Sequence, residues 1–106
     1  MQDALDACKR AFDHEESGEF DKAIAAYSEA IRLDPKWADA YFFRGSVYAR
    51  KNELDRAVAD YTEAIRLNPR DADAFNRRAC VYERTGQPAK AAADYSKAEQ
   101  LTARRK

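Results

Sequence analysis

The sequence predicts an all-α chain of helix hairpins stacked in a row, and three observations carry that expectation. A segment recurs at a fixed step: AIAAYSEAIRLDP at residues 23–35 returns 34 residues later as AVADYTEAIRLNP at residues 57–69, and in degenerate form as AAADYSKAEQLTA at residues 91–103. Alanine supplies much of the apolar content, and Ala both favours helix and lets helix backbones approach closely. Only three Gly and three Pro interrupt 106 residues, too few for the turns of an all-β domain.

Each unit reads as two helices, because small and aromatic residues recur at three- and four-residue spacing on both sides of a turn residue. The same step links Tyr27, Tyr61 and Tyr95; Ala30, Ala64 and Ala98; Ala11, Gly45 and Ala79; and His14, Tyr48 and Tyr82. The turn residues Gly18, Asn52 and Gly86 share one phase and tolerate the left-handed conformation that ends a helix. Pro35 and Pro69 stop the second helix of their units, Asp71 is placed to cap the helix that follows it, and Pro88 fits a first helical turn. The expected helices are 4–17, 20–33, 37–51, 54–67, 71–85 and 88–102. Trp37 falls between units and is expected to pack over the joint between hairpins.

Period, turn and motif resemble the tetratricopeptide repeat family. The second unit keeps the family pattern well, with Tyr41, Gly45, Tyr48, Leu54, Ala57, Tyr61, Ala64 and Pro69. The first departs from it at Ala7 and His14, and the third at Pro88 and Ala103. The resemblance implies a right-handed superhelical solenoid of three hairpins, here a single domain of residues 1–106 with repeats at 4–37, 38–71 and 72–105. It places a close helix crossing at Gly45 and Ala57. It also implies a protein–protein interaction module, a non-catalytic adaptor or scaffold, whose first helices line a concave groove.

The outward positions of those helices are the candidate peptide contacts. They are Leu5, Cys8, Lys9, Phe12 and Glu16 in the first repeat; Asp39, Phe42, Phe43, Ser46 and Arg50 in the second; and Asp73, Asn76, Arg77, Cys80 and Arg84 in the third. Three consecutive aromatics, Tyr41 to Phe43, cannot all face the core at about 100° per residue, so at least one Phe is expected in the groove. For Phe12 the preferred expectation is partial burial between neighbouring helices. Arg70, Arg77, Arg78 and Arg84 form a basic third repeat. In the resembling family a carboxylate clamp of Lys, Asn, Asn, Lys and Arg grips chaperone C-termini; the matching positions here hold Cys8, Phe12, Phe43, Asp73 and Arg77, so that ligand class is disfavoured. A peptide with an apolar anchor and an acidic group suits the pattern better.

The last helix is polar-adjusted, which predicts an end to the array: Ile24 and Val58 become Ala92, and Ile31 and Ile65 become Glu99. Tyr95 and Leu101 stay apolar, so the alternative role is a structural assembly unit that self-associates through Ala92, Tyr95 and Leu101. Glu99 and the Arg104, Arg105, Lys106 tail favour a monomer over a homodimer. Met1 fits either a whole protein or a domain of a longer chain.

Charge and chemistry narrow the rest. Nineteen basic and nineteen acidic residues cancel, leaving no net field to attract nucleic acid or an anionic membrane. The distribution is uneven, from four Lys/Arg against nine Asp/Glu in residues 1–35 to nine against five in residues 70–106. Cys8 and Cys80 lack metal or redox spacing and are expected to be free thiols in a cytoplasmic protein. His14 stands alone as a histidine, in the phase of two tyrosines, and is expected to be packed or hydrogen-bonded between helices. HEES at residues 14–17 lacks the second His of a zinc motif, and Glu15, Glu16 and Glu19 read as a solvated acidic hairpin end. No triad or phosphate loop is present, so neither an enzyme nor a cofactor is expected.

Overall fold

Six helices run through residues 3–103, the part that the computed structural model describes, with no strand among the described residues. They are α1 (Ala4–Glu16), α2 (Phe20–Leu33), α3 (Ala38–Arg50), α4 (Leu54–Leu67), α5 (Ala72–Arg84) and α6 (Pro88–Ala103). Each expected helix is present, and the bounds differ by at most one residue. Ser17, Lys51 and Thr85, counted as helical from sequence, are C-caps, while Trp37 and Asp71 are N-caps, Asp71 as expected. Met1, Arg104, Arg105 and Lys106 lie outside the described residues, so the charged tail expected to favour a monomer is not placed.

The three hairpins close in the same way. Gly18 (φ +75°), Asn52 (φ 65°) and Gly86 (φ +73°) turn the chain, and the next amide reaches back to satisfy a helix-end carbonyl. Glu19 N–H donates to the His14 carbonyl at 2.8 Å, Glu53 to Tyr48 at 2.9 Å and Gln87 to Tyr82 at 2.8 Å. Asp71 caps α5 by accepting from the amides of Asp73 at 3.0 Å and Ala74 at 3.3 Å. Hairpins form between α1 and α2, α3 and α4, and α5 and α6; α2 then packs on α3 and α4 on α5, giving a body of 42 × 29 × 20 Å.

The core is built largely from alanine. Ala7, Ala11, Ala23, Ala30, Ala40, Ala57, Ala64, Ala74 and Ala79 are fully covered, and the largest fully buried side chains are Tyr27, Tyr61 and Val47. The close crossing in the second hairpin is at Gly45, where a Cβ would lie 3.1 Å from Asp60 Cβ and 3.2 Å from the Tyr61 ring. Asp60 and Tyr61 are the nearest residues met there, and Ala57, one turn earlier on α4, is fully covered. Trp37 packs beside the core of α1, α2 and α3, over the joint as expected.

Two buried ion pairs repeat at the same 34-residue step. Arg44 forms a two-pronged bridge to Asp60 (Nε and Nη2, both 2.8 Å) and donates from Nη1 to Ser28 Oγ at 3.0 Å. Arg78 does the same with Asp94 (2.7 and 2.8 Å) and Thr62 (3.0 Å). Each guanidinium also lies near two rings, Tyr41 and Tyr48 for Arg44, Phe75 and Tyr82 for Arg78, at 5.6–5.9 Å. Each arginine thus joins the two helices of its own hairpin to the second helix of the preceding one. Its bond to the aspartate holds the Arg44 guanidinium above its ordinary pKa despite burial. Arg78, read from sequence as part of a basic ligand surface, is committed to packing.

Removing one member of such a pair strands a charge in a poorly solvated site, whereas replacing both by apolar groups does not. Asp60→Ala is expected to cost about 3 kcal/mol in urea unfolding, and Arg44→Met with Asp60→Leu less than half of that. Equal losses in the single and double variants would show that the pair does not act as a unit.

Candidate functional site

The register of α3 divides its side chains. Arg44 turns toward Asp60 and Ser28, so Phe42 and Phe43, two residues and one residue earlier, swing toward the opposite side. There they meet residues of α1 and α5 around a groove of about 520 Å³. Phe43 is 38% exposed and stacks on Tyr27 with ring centroids 5.9 Å apart; Phe42 is half-buried and tilts against Tyr61 at 5.7 Å. The two phenylalanines meet edge to face at 5.8 Å. Both border the groove, and Phe43 is the more open. Phe12 is 54% exposed on the same groove, so the expected partial burial between neighbours does not occur: its phase, shared with Ser46 and Cys80, faces the groove.

Three tyrosine hydroxyls, two of them on rings packed against the phenylalanines, are fixed by the first helices. Tyr27 donates to Glu15 Oε1 at 2.9 Å, Tyr61 pairs with Ser46 Oγ at 3.0 Å, and Tyr95 donates to Glu83 at 2.7 Å beside Cys80 Sγ at 3.3 Å. Burial, then the bond to Glu15, pushes the Tyr27 phenol far up; burial also raises Tyr61. These phenols are hydrogen-bonding struts.

Three arginines reach the groove. Arg50 donates to Glu15 Oε2 at 3.1 Å and covers the Phe20 ring at 4.6 Å. Arg84 is tied to the Ala49 carbonyl at 3.3 Å and Asn52 Oδ1 at 2.7 Å. Arg77 alone of the three has no ion-pair or hydrogen-bond partner among the described residues. Glu15, expected to be solvated, instead holds both Tyr27 and Arg50 and is 18% exposed. Its position was missed, although it shares the phase of Ala49 and Glu83.

The groove therefore gathers Phe12, Phe42, Phe43, Ser46, Arg50, Arg77, Cys80 and Arg84 from the sequence candidates. Lys9 lies with Phe12 and Phe43 at a neighbouring hollow of about 500 Å³, and Asp39 and Asp73 at another of about 400 Å³ beyond the Phe42–Phe43 pair. Asn76 sits apart, in a hollow of about 510 Å³ against α6. Cys8 borders the hollow of Lys9, Phe12 and Phe43 but is only 9% exposed and belongs to the first core, and burial, then Asp39 and Glu15, push its thiol up. Cys80 is exposed, and both thiols are free. His14 bonds Glu19 at 3.1 Å across the hairpin turn.

Of the self-association candidates, Ala92 is exposed and Tyr95 half-buried. Leu101 is not available: at 8% exposure it packs with Ala72, Phe75 and Ala98, because it closes the α5–α6 core.

A model described as TPR repeat matches residues 16–52 and 45–86, and one described as tetratricopeptide repeat matches residues 72–104. The chain belongs to the tetratricopeptide repeat family. Among solved structures, the crystal structure of MamA superposes with a TM-score of 0.95 at 27% identity, over 97% of this chain and 60% of that one. The first and second TPR of Spaghetti (RPAP3), each bound to HSP90 peptide SRMEEVD, superpose with TM-scores of 0.91 and 0.90 at 26% identity, over 94% of this chain and 79% and 93% of theirs. The tetratricopeptide chain thus spans about 60% of the MamA chain it matches. No curated protein sequence matches it significantly. No described helix is long and apolar enough to cross a membrane.

Proposed function

We propose that the chain is a non-catalytic adaptor that binds a peptide or protein segment in the groove of α1, α3 and α5, with an apolar side chain as anchor. The observation that carries this is the exposure of Phe12 and Phe43 beside an unpartnered Arg77, on a protein whose other groove arginines are satisfied internally. Large apolar surface combined with an uncommitted charge is what a few-anchor interface requires. The two Spaghetti domains bound to an HSP90 peptide support the general mode, and we place the protein in the cytoplasm on its free cysteines.

Those same neighbours give no support to setting chaperone tails aside. The structure also weakens the charge argument against them, because Asp73 and Arg77 line different hollows. What stands is narrower: four of the five clamp positions hold Cys8, Phe12, Phe43 and Asp73, so a terminal carboxylate is not the anchor in this reading.

Head-to-tail stacking of copies, the alternative reading, meets an obstacle at α1. Ala40 and Ala74, and likewise Val47 and Val81, are buried (0–2% exposed), while the same phase in α1 holds Asp6 and Asp13, both exposed. A second copy stacked there would bury two carboxylates, and Glu99 would face them from the other side. The adaptor reading is therefore preferred, with a monomer as the working state.

Against a binding peptide from an array, Phe43→Ala with Arg77→Glu is expected to lower affinity by more than about tenfold, about 1.4 kcal/mol, with helix content unchanged by circular dichroism. A smaller loss sinks the groove as the site. In fluorescence anisotropy, SRMEEVD with a free and with an amidated C-terminus should bind within about threefold of each other; a difference above about tenfold restores a carboxylate clamp. Light scattering over a dilution series should give one mass, that of the monomer, and concentration-dependent growth would favour the assembly reading.

A further inference from the structure

The groove and the hollow beyond it meet at the same two rings and carry opposite charge. Phe42 and Phe43 line both. On the groove side, Arg50, Arg77 and Arg84 stand against Glu15; on the other, Asp39, Asp71 and Asp73 stand against Arg70. Some of this charge is used internally, since Arg50 bonds Glu15, Arg84 bonds Asn52 and Asp71 caps α5. Arg77 on one side, and Asp39, Asp73 and Arg70 on the other, make no ion pair or side-chain hydrogen bond among the described residues, so the far side keeps a negative excess.

Asp73 and Arg77 are four residues apart on α5, a spacing at which opposite charges commonly meet on a helix. They do not pair here, and each lies on a different side of the phenylalanines. The uncommitted charges are therefore held apart with an apolar wall between them.

Resting on the groove reading above, we propose that the site selects a bipolar peptide: a basic residue at Asp39 and Asp73, a large apolar residue on Phe42 and Phe43, and an acidic residue at Arg77. A uniformly acidic segment gains at Arg77 and is repelled at the two aspartates, and a uniformly basic one meets the reverse. Only a segment whose charges are separated by its anchor gains on both sides. Four residues along a helix rise about 6 Å. Neighbouring helix axes lie about 8–10 Å apart. Base and acid thus belong about two to four residues apart in an extended ligand, at about 3.3 Å per residue.

The test uses three fluorescein-labelled hexapeptides around a common Phe-Leu centre: one with two lysines before it and two glutamates after, one with four glutamates, one with four lysines. At about 20 mM salt the bipolar peptide is expected to bind at least about tenfold tighter than either of the others, and the gap should close at about 1 M. Asp39→Lys with Asp73→Lys should transfer the preference to the four-glutamate peptide, and Arg77→Glu to the four-lysine peptide. Equal binding of the three peptides, no binding of any, or preferences unchanged in the charge-swapped proteins overturns the proposal. Peptides selected from a random array separate the two levels. If they lose binding with Phe43→Glu but show no charge order, the bipolar rule fails and the groove stands; if Phe43→Glu leaves them bound, both fail.

Discussion

The paired arginine bridges, Arg44 with Asp60 and Arg78 with Asp94, are the constraint on which the rest of the solenoid depends. A core made mostly of alanine buries little area per residue and has few interlocking shapes, so on its own it specifies helix register weakly. The bridge supplies what alanine cannot. Its two-pronged geometry fixes the rotation of α3 against α4 and of α5 against α6, and the third donor, to Ser28 or Thr62, fixes each hairpin on the one before. Desolvating a guanidinium is costly, and here both flanking rings and three oxygen partners offset that cost.

That rotation sets the groove. Because Arg44 is drawn to the α2–α4 side, the aromatic residues just before it emerge on the other. Because Arg78 is drawn the same way on α5, Arg77 one residue earlier is presented to the groove. Neighbouring arginines of one sequence pair, Arg77 and Arg78, consequently have opposite roles: one holds the fold and the other is open to a partner. In the first hairpin Ala26 occupies the phase of Asp60 and Asp94, so the arginine–aspartate form of the bridge belongs to the second and third hairpins.

The period made the fold legible. Self-similarity reveals helices, turn residues and caps because each rests on local chemistry repeated three times, as at Gly18, Asn52 and Gly86. The bridge was readable by the same signal, for Arg44 and Arg78, and Asp60 and Asp94, keep the step and a fixed separation of 16 residues. The misreadings arose where a position's surroundings change along the array. Phe12 looks coverable on a helical wheel, yet it shares the phase of Ser46 and Cys80, which line the groove in the later hairpins. Leu101 looks exposed on a terminal helix, but it faces inward to Phe75. Cys8 and Glu15 were misjudged because burial there depends on partners about 12 to 35 residues away, Tyr27 and Arg50 for the glutamate, which a helical-wheel reading does not supply.

The zero net charge of the chain concealed its recognition chemistry. Around the groove Glu15 and Arg50 neutralise each other, while Arg84 and Asp71 are tied to neutral groups of the protein and held in place. What a partner senses is the remainder among the described residues: Arg77 and Arg84 on one side of an aromatic wall, and on the other three aspartates against the single Arg70. A remainder of two signs can hold a ligand without attracting anionic polymers over long range, since the opposite charges cancel beyond about a Debye length of about 8 Å at physiological salt. Such a site depends on close fit at Phe42 and Phe43 for affinity and uses charge chiefly to set orientation and to reject wrongly ordered segments. Selectivity then falls to Arg77, Asp39 and Asp73, exposed side chains that can change without touching the alanine core or the arginine bridges. The fold can therefore stay constant while the partner changes.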